Sequence, residues 1–391
     1  MKGRAFLFLI ALLLAIVPRL QASDGAPSAK RVLIVYSHER EMAMHAGFDH
    51  ALRLHLKSAG SSPVEFYTEY LDLMRFAGPV QRENPWITSG PAYAGPRIDL
   101  IVTVGSLAFD FILEHGDTIF PDIPIVFASV SASRIAQAPL KENVTGVAVE
   151  RDVRQTVDLL LAIQPDVQQI VILIGSSPTE KEWAEDTRQL FKPHEKRVRV
   201  EYLSDLSMDA MLRRLSALPA HSAVLFTTVF YYDADGQYFL PDEALAGISA
   251  RSTAPVFGTD EAFLGSGVVG GVLYDITPTA DTTARVVQRV LAGEKPASIP
   301  VETVNPNHPM FDARQLERWR IPKSRLPAGS VIRFEEIGTW ARYKVYIVGA
   351  ASLVVFQAAL IVGLIAMSAK RQRAETSLRV SHDESAIWPA A

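Results

Sequence analysis

The chain has 391 residues, 21% charged and 48% hydrophobic, a length that predicts two to three domains with ample material for buried cores. With 39 Lys and Arg against 43 Asp and Glu the net charge is -4, so no global basic field is available to hold nucleic acid. The absence of cysteine excludes disulfides, thiolate metal sites, cysteine catalysis and a lipid-anchored lipoprotein N-terminus.

The mean hydropathy of +0.13 is high for a soluble protein, and the apolar residues concentrate at the two ends. Residues 1–22 carry Lys2 and Arg4, an apolar run from Ala5 to Val17, then Pro18 and a small residue at Ala22. This is the layout of a secretory signal peptide, and its run of roughly 20 Å of helix is short of a bilayer core. From Val345 to Met367 lie 23 residues without a charge, enough to span a membrane. Lys370, Arg371 and Arg373 follow at once, which places the 368–391 tail in the cytoplasm by the positive-inside rule. Both ends therefore predict a membrane-anchored protein with residues 23–344 exported. Gln357 and the Ala359/Gly363 step suit a homodimer of spans, or are ordinary composition for such a helix.

Between the ends, short β-branched runs alternate with amphipathic stretches. Predicted strands are 31–36, 64–70, 99–104 and 123–128, then a second series at 144–149, 169–174, 198–203, 223–228, 255–258 and 268–273. Helices are predicted over 41–58, 107–115, 154–163, 180–192, 208–218, 241–251 and 277–291. Such alternation specifies an α/β fold with largely parallel sheets, and two runs of similar length predict two lobes.

Ligands of open α/β sheets bind beyond the carboxyl ends of the strands. Those ends carry Ser37, His38, Gly105, Ser106, Ser129, Ser176, Thr227, Thr228, Tyr231 and Asp260. Small hydroxyl residues where helices begin serve either as helix caps or as donors to a ligand carboxylate, and spacing alone does not choose between them. No catalytic motif of the HExxH, GxSxG, SxxK or P-loop type is present, so no enzyme activity and no cofactor is expected. His45, His50 and His55 fall about 140° apart on a helix, which argues against a metal pair. The Gly265 to Gly271 run precedes a strand and reads as a hinge turn, and DADG at 233–236 as a turn presenting Tyr231 and Tyr232.

The segments RVLIVYSHEREMAMHAGFDHALR, IDLIVTVGSLAFDFI, NVTGVAVERDVRQTVDLLLAIQPDVQQIVIL, VLFTTVFYYDADGQYFLPDEAL and APVFGTDEAFLGSGVVGG resemble the periplasmic sensor region of bacterial transmembrane histidine kinases. That region is itself similar to ABC-transporter substrate-binding proteins. The resemblance runs from about residue 30 to the span. It implies two Rossmann-like lobes of the type I periplasmic-binding-protein kind: lobe 1 over 30–146 with part of 258–295, and lobe 2 over 147–257 with part of 296–322. A juxtamembrane linker (323–344) and the span (345–367) would follow. Crossings are expected near Val147, Gly258 and Pro300. The resemblance implies a small polar solute, such as an amino acid, clamped between the lobes, with Asp260 by a hinge meeting a ligand amine. It also implies either signalling through a kinase, which the short tail is expected to stop before, or, as the alternative, delivery to an ABC permease.

Overall fold

A computed structural model describes residues 29–58, 63–73, 97–137, 139–176, 178–227, 231–335 and 339–386. The expected signal peptide lies outside the described residues. The chain forms two units, residues 1–334 and 335–391.

The first unit contains two sheets of parallel strands. In lobe 1 these are β1 (Lys30–Tyr36), β2 (Val64–Tyr70), β3 (Leu100–Val104), β4 (Ile125–Ser131) and β5 (Val144–Val149), joined by β13 (Glu302–Val304), in the order β13-β5-β4-β3-β1-β2. Its helices are α1 (Ala43–Ser58), α2 (Ser106–Ile119), the short α3 (Ala132–Ile135) and α8 (Thr277–Leu291). Lobe 2 has β6 (Gln169–Leu173), β7 (Arg199–Leu203), β8 (Ser222–Phe226) and β11 (Val256–Phe257) in the order β11-β8-β6-β7, with helices α4 (Arg154–Ile163), α5 (Pro178–Phe191), α6 (Met208–Leu215) and α7 (Pro241–Arg251). A hairpin, β9 (Tyr231–Tyr232) and β10 (Tyr238–Phe239), follows β8. β12 (Gly270–Tyr274), β14 (Asn307–Asp312) and β15 (Val331–Arg333) form a small sheet, with α9 (Ala313–Arg318) after β14.

The continuous apolar runs arise because each parallel sheet is covered on both faces. In β1, Val32, Ile34 and Tyr36 pack with Phe48 and Leu52 of α1 and Val286 and Val287 of α8. Leu33 and Val35 point the other way, toward Phe109 and Ile112 of α2. β6 divides in the same manner, Ile170 and Ile172 joining Leu160 and Phe191, while Val171 and Leu173 join Met211, Leu245 and Ile248. Truncating any of these fully buried side chains to Ala is expected to cost about 2–5 kcal/mol.

Three crossings connect the lobes, and all three lie further along the chain than the positions expected, near Val147, Gly258 and Pro300. β5 belongs to the lobe 1 sheet, paired with β4 and β13, so the first crossing comes after Val149 rather than near Val147, where a second strand series is expected to open. The second lies at Asp275–Ile276, between β12 and α8, not near Gly258, because β11 continues into the lobe 2 sheet by pairing with β8. The third lies at Asn305–Pro306, between β13 and β14. The Gly265–Gly267 turn is internal to lobe 2, with Gly265 and Gly267 at φ +102° and +109°. The crossings are hydrogen-bonded to one another: Glu150 N donates to Val304 O (3.1 Å), Asp275 N to Pro306 O (3.0 Å), and Asn307 Nδ2 to Glu150 O (2.7 Å).

The second unit is the helix α10 (Thr339–Ala386). Within it Tyr343–Thr376 is long and apolar enough to cross a membrane. Its large apolar residues, Ile347, Leu353, Phe356 and Ile365 among them, are exposed, as lipid-facing residues are.

Candidate functional site

In both lobes the strand order reverses between the first and third strands of the sheet, the switch point where crevices open at the carboxyl ends. At this edge of lobe 1, Ser37 is fully buried. Its hydroxyl donates to Val104 O (2.9 Å) and accepts from Ala108 N in the first turn of α2 (2.8 Å). Gly105 takes φ +90°, and a Cβ there would lie 2.6 Å from Ser37 Oγ. Ser37 and Gly105 thus form a clasp that seats α2 on β1 and β3, and the Ser37 hydroxyl is committed inside the lobe. Ser106 opens α2 and is half-buried.

Beside the clasp, the rings of His38 and His45 stack at 5.6 Å, and Tyr36 stacks on Tyr70 at 5.0 Å. Burial pushes the two imidazoles down, His38 to about 3 and His45 to about 4, with His45 adding to the shift at His38. Both are neutral at physiological pH, and His45 Nδ1–H donates to Glu39 O (2.9 Å).

On lobe 2, Thr227 Oγ1 donates to Leu173 O (3.0 Å), and Ser176 N donates to Tyr232 O of the hairpin (2.8 Å). Asp233 Oδ1 accepts from Asp235 N and Gln237 N, the side-chain turn that lets this short hairpin close. Thr228 lies outside the described residues, as does the side chain of Tyr231.

Ser129 and Asp260 meet one network at the crossings. Ser129 sits at a bulge in β4 with φ +56°, and its hydroxyl lies 2.9 Å from Tyr274 OH. Arg151, from the first crossing, covers the Tyr274 ring at 4.7 Å and reaches Asp260 Oδ2 at 2.6 Å. Burial alone would lower the Arg151 guanidinium, but the Asp260 carboxylate outweighs it and holds the group above its ordinary value. The Asp260 carboxylate expected to face a ligand amine is therefore occupied by a guanidinium of the chain itself.

A pocket opens between the lobes. Met42 and Met44 of lobe 1 face Leu240 and Phe263 of lobe 2 across it, and Glu41, Asp242 and Asp260 add three carboxylates. The lobes touch beside it, where Met42, Met44 and Leu107 gather with Tyr238, and Tyr238 OH donates to the Glu39 carboxylate. Asp260 is the residue nominated from sequence that lines this cavity. Its other walls come from the starts of α1 and α7 and from the turn after β11, where apolar side chains carry no signal that separates them from core. The mainly apolar lining with a few polar groups is the kind that takes a small organic molecule.

The family of ABC transporter substrate binding proteins matches residues 91–321, and the chain belongs to this family. Among solved structures, it is similar to an ABC domain in complex with L-Trp from Streptococcus pneumonia, at 19% identity and a TM-score of 0.57, covering 78% of this chain and 100% of the other. A conserved domain protein from Vibrio cholerae (19% identity, TM-score 0.55, 78% and 99% covered) is similar too. So is the ligand-free, open form of a substrate binding protein with adhesive properties from Clostridium difficile (15%, 0.55, 79% and 100%). At these identities the likeness is one of fold. No curated protein gives a significant match.

Proposed function

We propose that this protein is the solute-capturing component of an ABC import system, tethered by its C-terminal helix. It binds a small organic molecule between its lobes and catalyses no reaction. The observation that carries this reading is the pocket walled by both lobes beside three hydrogen-bonded crossings, in a chain of the substrate-binding family. Residues 23–344 lie in the periplasm in this reading and the tail after Met367 in the cytoplasm, supported by the Lys370, Arg371 and Arg373 cluster beyond the span. The partners are the inner membrane and a permease.

One observation favours a second reading, a receptor that signals through the span to a histidine kinase. The cavity wall Asp260 to Phe263 is backed by the strand that leads toward the membrane helix. Arg333 of β15 pairs with Glu261 at 3.1 Å, and Arg314 covers the Phe334 ring at 4.2 Å. Burial first, then the Asp275 carboxylate of the second crossing, raises the Glu261 carboxyl above its ordinary value. A solute that moves this turn would bear on β15 as well as on the hinge.

The test is a thermal-shift screen of the full chain in detergent against amino acids, organic acids and purines. A solute at 100 times its Kd adds about 2.7 kcal/mol and raises Tm by several degrees. A folded protein that no compound stabilises contradicts solute capture. For a compound that binds, deletion of the gene abolishes its uptake under the first reading; under the second, uptake persists while a transcriptional response is lost.

A further inference from the structure

The charges of the cavity are all of one sign. Glu41, at the start of α1, and Asp242, in the first turn of α7, stand on opposite lobes. Neither has an ion-pair or hydrogen-bond partner among the described residues. Asp260 completes the set, and Arg151, which neutralises it, is committed to that contact. Among the described residues the lining includes no Lys or Arg. The start of α7 offers no anion site either, because Pro241 lacks an N–H and Asp242 and Glu243 oppose the positive end of the helix dipole. Two carboxylates without partners, brought from separate lobes to the lining of one pocket, repel when the cleft is empty. A cation between them removes that repulsion and links the two lobes.

We propose that the cleft selects an organic amine, a solute with an apolar body for Met42, Met44, Leu240 and Phe263 and a protonated amino group held between Glu41 and Asp242. A solute carboxylate meets no complementary charge here, so an amine without one binds better than the corresponding amino acid. This rests on the reading of the cleft as a solute site.

The experiment is isothermal titration calorimetry of the full chain in nanodiscs with two charge series of constant body: tryptamine, tryptophan and indole-3-propionate, and hexylamine, norleucine and hexanoate. The expected order in the series that fits the cavity is amine, then zwitterion, then acid, with about ten-fold between the ends. In Glu41→Gln/Asp242→Asn, whose substituted side chains are exposed, the ratio falls toward one while Tm is unchanged. An acid or zwitterion that binds as tightly as the amine overturns the inference and leaves solute capture standing, as does an undiminished ratio in the variant. If neither series binds and the thermal-shift screen also finds no compound, both the inference and the solute reading fall. If the screen finds only carboxylate solutes, the inference alone falls.

Discussion

Arg151 Nη2 and Asp260 Oδ2 lie 2.6 Å apart, joining the first crossing between the lobes to the wall of the cavity. The carboxylate keeps 7% of its side-chain exposure and the guanidinium 32%, so water compensates loss of the partner better on the arginine side. Asp260→Ala leaves a guanidinium over Tyr274 without its counter-charge, and about 2 kcal/mol of stability is expected to be lost, below the 3–5 kcal/mol of a fully buried pair. Urea denaturation checks it. A variant with the wild-type midpoint would mean that the pair does not hold the crossing.

The Ser37 and Gly105 clasp predicts a second pattern. Ser37→Ala removes one donor and one acceptor from a fully buried site and is expected to cost about 1–3 kcal/mol. Gly105→Ala costs more, because φ +90° strains any L-residue and the new methyl meets Ser37 Oγ at 2.6 Å. Neither change touches the cavity lining, so solute affinity at a temperature where the variants are folded is expected to stay within about two-fold. A Ser37→Ala protein of undiminished stability that no longer binds solute would place that hydroxyl in the site instead.

Acid sensitivity follows from the stacked histidines. Their folded-state values, about 3 for His38 and about 4 for His45, lie below the ordinary 6.5. Between these limits the unfolded chain binds more protons than the native one, so stability rises with pH. The contribution is complete above about pH 6.5 and is lost as pH falls toward 4 and then 3. Each unit of depression corresponds to about 1.4 kcal/mol. Denaturation midpoints measured from pH 7 to pH 4 are expected to fall steeply in the wild type and less steeply in His38→Phe. Equal slopes would show that His38 titrates normally.

Asn307 joins two of the crossings through Glu150 O and caps its own turn at Asn305 Oδ1 (2.7 Å). Asn307→Ala is expected to raise hydrogen exchange at residues 150–153 and 304–307 while the cores of both sheets keep their protection, since both of these hydrogen bonds lie at the crossings. Unchanged exchange there would mean that the backbone bonds alone hold the hinge.

Much of this architecture is legible in the chain, and what is not has physical causes. β1, β3, β6 and β8 read as buried parallel strands because helices cover both faces and leave no polar alternation. β5 reads the same way, but a β-branched run does not say which sheet it joins, so the pattern alone puts it in the wrong lobe. The second crossing is hidden because β11 and β12 are both short and adjoin glycines, and only pairing separates them. Ser37, Gly105 and Thr227 are legible as strand-end residues, yet their polar groups serve the lobes themselves. Met42, Met44, Leu240 and Phe263 give no signal, because an apolar residue at a helix start looks like core until the facing lobe is in place.

Closure of the lobes on a solute is tested most directly by a distance between them. Because the native chain has no cysteine, Lys57→Cys on lobe 1 and Arg213→Cys on lobe 2, both at exposed positions, can be spin-labelled without background. Pulsed dipolar spectroscopy would then be recorded with and without the compound of largest thermal shift. A broad or two-component distribution that collapses to one narrow distance at saturation is the predicted result. A distribution unchanged by a solute that demonstrably binds would contradict closure of the lobes.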